Sequence, residues 1–563
     1  MRKKIFIVGL LIVLCFTLCS CDVIPLYESG TLTKENVYSV LNNIKIIPKT
    51  SELVKGELPN TEVKTENGSD SAMFMFELPD ISNYDPEVKG SGDVDVEIFI
   101  PLEDNGSAIR EVVSNAAKLF NESNNTLADG RTVSVTIRSL EASLAEEYIV
   151  NGVYYPKGYV ASNELYGVLM KENGINASLV TNRTVGNTMG IVFTKSKYDE
   201  LVKKYGEVTI ATLVKANEVG DVSVGYTNPT NNPTGLNFVI SMLSYFDANN
   251  PASMEATTDF SNFQNTVATV SYSTEQMKQI VSSGVIDAFI FERQAFEKDT
   301  SMKNDFVFMP FGVRHDNPLY AIGNVSAEES EVLAMFSNFI SSEDIQNYAA
   351  SFGFNQDNEY VSTVGNYSGG TISNILSFWK EEKSSGKKIV TVFVADKSGS
   401  MAGNKLTALK NSLKTAMQYV GENNKVGLIS YSETVYIDLP IKDFTREHQE
   451  YYVGAIDNWR ANGGTATNNA LLVAAKLLLE EQAIDPNIKP IIILLSDGYT
   501  QSGYSLSSVA EILDVVDIPI YTIGYEANVS ELESIARINQ GAFINATSDD
   551  IGYILKTLFD AEM

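Results

Sequence analysis

The sequence is poor in the residues on which many enzymes and cross-linked domains depend. It has only three cysteines and two histidines in 563 residues. The cysteines, Cys15, Cys19 and Cys21, all lie near the N-terminus, so the rest of the chain offers no thiol for a disulfide, a cysteine zinc site or a nucleophile. Neither His315 nor His448 adjoins the serine or aspartate motif of a nucleophile–base pair, which argues against a serine–histidine hydrolase.

Other absences narrow the function further. The chain has no glycine-rich phosphate loop, no G-x-S-x-G motif and no H-E-x-x-H zinc motif. Its formal net charge is −29, and beyond the first residues lysine and arginine form only isolated pairs, which argues against nucleic acid as a partner. Carboxylates are so abundant that spacing alone leaves paired-carboxylate glycoside chemistry open. The sequence nevertheless favours a binding protein over an enzyme.

What the chain does contain is typical of a folded, exported protein. Hydrophobic residues make up 44% and charged residues 20%, without a long low-complexity tract. A chain of 563 residues is expected to form about two to four domains. The acidity suits a soluble extracellular surface that attracts cations, although solubility alone also explains it.

The N-terminus is typical of an export signal. Basic residues 2–4 precede the apolar stretch Ile5–Leu18, which is too short to span a bilayer comfortably. The following Leu-Cys-Ser-Cys resembles the bacterial lipoprotein signal, in which a small residue precedes a lipidated cysteine. The resemblance implies that residues 1–21 are a lipoprotein signal, that Cys21 carries the lipid, and that the protein faces the extracellular or periplasmic side of the cell membrane. An uncleaved hydrophobic anchor is the alternative, and it also places the folded part outside the cytoplasm.

The pattern beyond the signal predicts two α/β domains. Residues 22–91 carry prolines and polar runs and are expected to form a tether, with a short helix around Lys34 to Leu41. In residues 92–365 and again in 387–563, strands alternate with amphipathic helices, which indicates largely parallel sheets. Residues 366–386 are richer in serine, glycine, lysine and glutamate, and they are expected to be a linker.

The most informative motif follows a strongly apolar strand predicted at Lys388–Ala395. Asp396 ends this strand, and Ser398 and Ser400 follow it, so a carboxylate and two hydroxyls leave the carboxyl end of a strand. That edge is where doubly wound sheets bind ligands. Oxygen donors of this kind suit a hard cation such as Mg²⁺. A polar strand-to-helix turn without a metal is the alternative interpretation.

Two later loops can add oxygen ligands, the hydroxyl of Thr465 after a glycine pair and the carboxylate of Asp497 after another strand. The order DKSGSM, GGT and LSDG resembles the von Willebrand factor type A family over about residues 385–561. The resemblance implies a doubly wound, Rossmann-like fold in which the first motif and Thr465 bind the metal directly, while Asp497 acts mostly through water. It also implies that the metal, Mg²⁺ or else Mn²⁺ or Ca²⁺, takes its last ligand from an acidic group of a protein partner. Lys397 stands where many members have an apolar or acidic residue, and it is expected at the surface.

Small polar residues recur after the predicted strands of residues 92–365. The candidates for ligand binding are Asn105, Ser107, Ser162, Asn163, Thr188 and Thr230. Helix N-termini flanked by such residues favour anions or polar solutes, although simple N-capping explains any one of them.

Four stretches of this region, GYVASNELYGVL, GYTNPTNNPTGL, DAFIFE and ASFGF, resemble the two-lobed bacterial extracellular solute-binding proteins. The resemblance implies two α/β lobes that close over a small solute, with the six polar residues on loops that face the cleft. The set lacks an obvious arginine clamp, which leaves an anionic solute in question. The sequence therefore predicts a membrane-anchored protein that binds a partner through a metal and a solute through its middle domain. The alternatives are a receptor that feeds an ABC-type permease and an adhesin whose middle domain is a spacer.

Overall fold

A computed structural model describes most of the chain beyond the signal. The described residues are 32–58, 78–102, 108–282, 284, 286–362, 364–384, 387–417, 420, 424–498, 500–525, 530–539, 541–546, 554, 555 and 558. The predicted lipidation site Cys21 and the predicted ligand residues Asn105 and Ser107 lie outside them. Within this part of the chain, no helix is both long and apolar enough to cross a membrane.

Seventeen strands are described. They are β1 (Lys49–Thr50), β2 (Val94–Pro101), β3 (Val133–Leu140), β4 (Gly158–Val160), β5 (Ala177–Thr181), β6 (Thr188–Thr194), β7 (Val224–Thr227), β8 (Thr269–Ser271), β9 (Ala288–Glu292), β10 (Phe306–Arg314), β11 (Leu319–Ile322), β12 (Lys388–Asp396), β13 (Lys425–Tyr431), β14 (Val435–Asp443), β15 (Ile488–Ser496), β16 (Ile520–Tyr525) and β17 (Phe543–Ala546).

Helices separate most of these strands. The α-helices are Val37–Asn43, Ile109–Glu122, Ala142–Val150, Glu164–Glu172, Lys195–Tyr205, Ile210–Glu218, Pro233–Phe246, Met254–Gln264, Thr274–Ser282, Arg293–Lys298, Thr300–Asp305, Ala327–Ile340, Glu343–Ser351, Gly369–Ser384, Asn404–Ala416, Arg446–Asp457, Thr467–Ile484, Leu506–Val516 and Ser530–Ala536. The 3₁₀ turns are Ile81–Asn83, Gly399–Met401 and Arg537–Asn539.

The described residues form two compact units, and the first, here called the middle unit, lies within residues 78–387. It has two five-stranded sheets, ordered β3-β2-β4-β11-β5 and β10-β6-β9-β7-β8. The chain crosses from the first sheet to the second between β5 and β6 and returns between β10 and β11. Because of these crossings β11 and β6 run antiparallel to their neighbours, so both sheets are mixed rather than parallel. The predicted two-lobed α/β architecture is confirmed.

The predicted linker at residues 366–386 instead contains the helix Gly369–Ser384, which packs on the middle unit. Ile372, Ile375 and Trp379 are almost completely buried, and Trp379 Nε1 donates a hydrogen bond of 2.7 Å to Tyr226 Oη in β7. The three residues follow one another at intervals of three and four, which is the spacing of an apolar helical stripe. The polar composition around this stripe concealed it in the sequence.

The second unit, here called the C-terminal unit, combines residues 388–414 and 424–546 with residues 32–58. Its seven-stranded sheet has the order β1-β14-β13-β12-β15-β16-β17. Strands β13, β12, β15, β16 and β17 are parallel, and β14 runs antiparallel to β13. The central strands are buried on both faces by helices and are nearly continuous runs of apolar residues, as in β12 and β15. This is the doubly wound fold that the sequence predicts.

Residues 32–58, which the sequence assigns to a tether, are part of the C-terminal unit. Strand β1 pairs in parallel with Tyr436 and Ile437 of β14. Val37 and Leu41 of the first helix are 2% and 5% exposed and belong to the core of this unit. They lie four residues apart, so both point to the same helix face. The rest of the predicted tether that is described, residues 78–91, belongs to the middle unit. The middle unit is therefore inserted in the chain between two parts of the C-terminal unit.

Candidate metal site and solute cleft

The centre of the candidate metal site is the carboxylate of Asp396, at the carboxyl end of β12. The residue is completely buried. Its Oδ1 accepts a hydrogen bond from Ser398 N at 2.8 Å, and its Oδ2 accepts one from Ser496 Oγ at 2.6 Å. Burial raises the pKa of the Asp396 carboxyl, and the negative charge of Asp497 adds to the rise. Bringing a cation to this carboxylate would offset the cost of its burial.

The two serines connect Asp396 to the second carboxylate. Ser398 Oγ and Ser400 Oγ are 3.0 Å apart, and Ser400 Oγ donates to Asp497 Oδ1 at 2.8 Å. Ser398 and Asp497 are buried, whereas Ser400 is exposed. The oxygen cluster therefore opens to solvent on the Ser400 side.

Backbone hydrogen bonds hold the third predicted loop against the first. Gly399 N donates to Gly463 O at 3.0 Å, and Asn462 N donates to Lys397 O at 3.0 Å. Gly463 has a positive φ of 72°, which a residue with a side chain adopts only with strain. Thr465, two residues later, is 3% exposed. The structure thus brings together the three loops that carry the five predicted metal ligands.

The donor chemistry fits a hard divalent cation. It consists of two carboxylates and three hydroxyls, with no nitrogen or sulfur. No group of three histidine, cysteine, aspartate or glutamate side chains suited to a metal converges anywhere in the described part of the chain, so a site here depends on its hydroxyls. Lys405 Nζ lies 2.9 Å from Asp497 Oδ2 and neutralises part of the charge of this carboxylate. A dication bound between Asp396 and Asp497 would balance the two negative charges of these carboxylates. With Lys405 included, the cluster would then carry one excess positive charge.

Sequence reasoning missed two residues that contact the ligands. Ser496 orients Asp396, and Lys405 pairs with Asp497. Ser496 was visible as the serine of the LSDG motif, whereas Lys405 becomes a neighbour only through the helix that begins at Asn404. Tyr431, at the end of β13, is fully buried and accepts a hydrogen bond from Thr467 Oγ1 at 3.3 Å. Burial and the charge of Asp396 raise the pKa of this tyrosine.

Lys397 is not the simple surface residue that the sequence predicts. It is half-buried, and its Nζ lies 3.8 Å from the centroid of the Tyr436 ring. Burial lowers the pKa of this lysine. The Tyr436 ring in β14 is therefore a cation–π partner of this lysine.

The polar residues predicted for the middle unit have three different environments. Asn163 is completely buried and caps the helix Glu164–Glu172 by accepting from Leu165 N at 3.1 Å. Ser162 and Thr188 are also buried, and their hydroxyls have no hydrogen-bond partner among the described residues. Thr230 is half-buried and bonds through its N and Oγ1 to Asn228 Oδ1, as in a tight turn.

A buried polar chain that sequence reasoning missed links the two lobes. Asn163, at the end of β4, lies with Nδ2 3.1 Å from His315 Nε2. His315 Nδ1 is 2.5 Å from Glu292 Oε1 at the end of β9, and Asn187 Nδ2 donates to Glu292 Oε2 at 2.9 Å. His315 is 1% exposed and lies on the returning crossover. In the sequence this histidine attracted attention only as a possible general base.

The two families implied by the sequence both match this chain. The family described as von Willebrand factor type A domain matches residues 391–560, and the family described as bacterial extracellular solute-binding protein matches residues 105–355. Inter alpha-trypsin inhibitor heavy chain 4 from Mus musculus is 28% identical over 160 residues, which are 27% of this chain and 17% of that protein. The chain therefore spans less than a fifth of that relative's length.

Two solved structures are similar to the separate halves of the chain. A von Willebrand factor type A protein from Catenulispora acidiphila covers 31% of this chain and 43% of its own, at 20% identity and a TM-score of 0.29. Iron-bound HitA from Pseudomonas aeruginosa covers 52% of this chain and 99% of its own, at 12% identity and a TM-score of 0.37.

The matched families are binding or adhesion-type proteins rather than enzymes, and they indicate an extracellular or periplasmic protein. Domains of the von Willebrand factor type A family mediate protein interactions and commonly bind a divalent metal, while solute-binding domains bind small solutes. The chain thus combines a region that matches the bacterial extracellular solute-binding protein family with a following region that matches the von Willebrand factor type A family.

Proposed function

We propose that this protein is a membrane-anchored extracellular binding protein whose C-terminal unit holds a divalent cation and uses it to bind an acidic group of a protein partner. The observation that carries the proposal is the convergence of Asp396, Ser398, Ser400 and Asp497 at the carboxyl ends of β12 and β15. The hydrogen bond from Gly399 N to Gly463 O holds the loop of Thr465, the fifth predicted ligand, against the first motif.

The charges of the site favour an anionic ligand from outside. When bound, the cation supplies a positive centre that accepts a carboxylate oxygen. Asp396, Ser398, Ser400 and Thr465 would hold it, with Asp497 positioned by Ser400 and Lys405. Ser400 is the exposed member of the set, so the open coordination position faces solvent rather than the core. A partner carboxylate can reach the cation there without any movement of the fold.

Equilibrium titration of the chain from residue 22 onward with Mn²⁺, followed by electron paramagnetic resonance, tests the cation site. The wild-type chain is expected to bind one Mn²⁺ that Mg²⁺ displaces, and Asp396→Ala is expected to lose this binding. Asp443→Asn is the matched control, because it removes an exposed carboxylate at the other end of the sheet. Binding of Mn²⁺ by Asp396→Ala with unchanged affinity would falsify the assignment.

We also propose that the middle unit binds a small polar solute between its lobes. Among the described residues the buried hydroxyls of Ser162 and Thr188 have no hydrogen-bond partner, and such a group is costly unless a ligand or water satisfies it. Asn163 is the third candidate in this place, because its Nδ2 contacts His315 Nε2 on the segment between β10 and β11. Asn105, Ser107 and Thr230 remain predicted ligand residues, and Cys21 remains the predicted lipid anchor.

Calorimetry of the full chain against a solute panel separates the alternatives. If a solute binds and Ser162→Ala or Thr188→Val abolishes the binding, the middle unit is a solute-binding unit. Transport of that solute by a co-expressed permease would favour a receptor. An adhesin with a spacer predicts no solute binding at all. The full chain is required, because the helix Gly369–Ser384 completes the core of the middle unit.

A further inference from the structure

Two cationic side chains lie on loops of the candidate metal site and form no ion pair with a carboxylate of the described residues, and the charge of the buried Asp438 acts on Lys397 from a greater distance. Lys397 lies inside the first metal-binding motif, and Arg460 lies five residues before Thr465. Neither forms an ion pair with a carboxylate of the described residues, unlike Lys405, which pairs with Asp497. Unpaired cations beside a metal site are unexpected in a chain with a formal net charge of −29.

The two cations belong to loops that are fixed to each other. Asn462 N donates to Lys397 O at 3.0 Å, and this bond joins the Arg460 loop to the metal-binding motif. Arg460 Nη1 donates to Trp459 O at 2.7 Å and to Asp457 O at 3.0 Å, at the end of the helix Arg446–Asp457. The side chain nevertheless remains exposed. Its position is therefore set by backbone carbonyls, while its charge stays available to solvent.

Lys397 is held in a comparable way by an aromatic ring. Its Nζ lies 3.8 Å from the Tyr436 ring centroid, and Lys49 Nζ approaches the same ring at 5.7 Å. A cation over a ring face keeps its charge and gives up little conformational freedom on meeting a second ligand. Glu433, on the hairpin between β13 and β14, packs against the glycine pair, with its Cγ 3.2 Å from where a side chain on Gly464 would begin. The loops of the site thus carry an acidic side chain at the glycine pair and cationic side chains at Lys397 and Arg460.

We propose that Lys397 and Arg460 form a cationic rim that selects partner segments with a second acidic side chain beside the one that binds the metal. The inference rests on the proposed metal-dependent binding of an acidic partner. The net negative charge of the chain repels such a partner at long range, and the local cations offset that repulsion where contact is made. Glu433 disfavours a second carboxylate on its own side. The partner chemistry is therefore an acidic peptide segment that lies across the metal towards Lys397 and Arg460.

Two synthetic peptides test the rim on the full chain in the presence of Mg²⁺. One carries a single glutamate within glycines, and the other carries three glutamates that alternate with glycines. Fluorescence anisotropy is expected to show tighter binding of the three-glutamate peptide. The double variant K397A/R460A is expected to lower the affinity for the three-glutamate peptide by about 3- to 20-fold, as for the loss of two exposed ion pairs. Its affinity for the single-glutamate peptide should be nearly unchanged. Lys442→Ala, an exposed lysine near the far end of β14, is the matched control and should alter neither.

The outcomes distinguish the two proposals. Absence of Mg²⁺-dependent binding of either peptide overturns the proposed function itself. Mg²⁺-dependent binding of both with equal affinity, or an equal loss for both in K397A/R460A, overturns the rim alone. The variant K397R/R460K retains both charges and is expected to keep the preference for three glutamates. Loss of the preference in that variant would mean that local structure, rather than charge, governs the effect.

Discussion

The candidate metal site and the candidate solute cleft differ in how their buried polar groups are hydrogen-bonded. In the C-terminal unit Asp396, Ser398, Ser400 and Asp497 form one hydrogen-bonded chain, so the oxygens are already collected at one point. In the middle unit the hydroxyls of Ser162 and Thr188 are buried, and they have no partner in the part of the chain that the structure describes. A cation would meet oxygens that are already organised, which lowers the cost of binding, whereas a solute would have to supply the hydrogen bonds that these two hydroxyls lack.

The difference follows from how each set of residues is connected along the chain. The loops of Asp396 and Asp497 leave adjacent parallel strands at one sheet edge, and backbone bonds such as Gly399 N to Gly463 O hold the Thr465 loop against them. The residues of the proposed cleft come from two sheets. These sheets are joined by crossovers, by the chain from Asn163 to His315 and Glu292, and by the helix Gly369–Ser384, which contacts both lobes. A rigid edge suits a small ion, and two linked lobes suit a solute that they can enclose.

The largest expected effect tests whether the two sites are independent. Trp379→Ala removes a buried indole and its hydrogen bond to Tyr226, and we expect it to lower the free energy of unfolding of the middle unit by about 3–5 kcal/mol. Chemical denaturation monitored by far-ultraviolet circular dichroism measures this. Mn²⁺ binding at Asp396 should be unchanged, because that site is built entirely within the C-terminal unit.

Two comparisons make the Trp379 result interpretable. Trp379→Phe keeps most of the ring and should cost less, since it loses mainly the hydrogen bond. Tyr245→Ala truncates a ring that is 45% exposed and should have little effect. If Trp379→Ala also abolished Mn²⁺ binding, the contrast between two independently organised sites would fail.

The sequence predicted that the loops of the candidate metal site meet, for a physical reason. Four of the five predicted ligands lie in short motifs directly after a strand, and parallel strands bring such ends together. Thr465 lies instead in a loop between two helices. The contacts of Lys405 and Lys397 depend on helix and strand packing that no local motif encodes. The buried helix Gly369–Ser384 and the segment 32–58 were missed because each has only a few apolar residues among many polar ones. Their burial is decided by the surface they pack against.

A second prediction weakens the organisation of the metal site without removing a ligand. Ser496→Ala deletes the hydroxyl that donates to Asp396 Oδ2 at 2.6 Å. We expect the affinity for Mn²⁺ to fall by about 10- to 100-fold, as when a residue that orients a metal ligand is lost. Titration by electron paramagnetic resonance gives the affinity, and Ser508→Ala in the helix Leu506–Val516 is the matched control. An unchanged affinity would show that Asp396 is held well enough by Ser398 alone.

The smallest expected effect is a change in the pH dependence of stability. It concerns two carboxyl groups, one in each unit, whose pKa is raised by burial. In the middle unit, burial first and the neighbouring charge of Glu147 second raise the pKa of Glu146 to about 7, from 4.5. The pKa of Glu146 is higher in the folded chain than in the unfolded chain. The stability that protonated Glu146 contributes is therefore present below about pH 4.5 and is lost as pH rises through about 7. Glu146→Gln should therefore stabilise the chain by about 1–3 kcal/mol at pH 8 and have little effect at pH 4.

Thermal unfolding at both pH values measures this effect, with the exposed Glu122→Gln as the control. The same series with Mg²⁺ sharpens the contrast between the units. Burial also raises the pKa of Asp396, but a bound cation would stabilise its charged form, so Mg²⁺ should remove the part of the pH dependence that Asp396→Asn removes. The part that belongs to Glu146 should persist in Mg²⁺, because its charge is opposed by burial and by Glu147 with no cation site beside it among the described residues. If Mg²⁺ abolished the pH dependence of stability that belongs to Glu146, the middle unit would also hold a cation. Cation binding would then not be confined to the C-terminal unit.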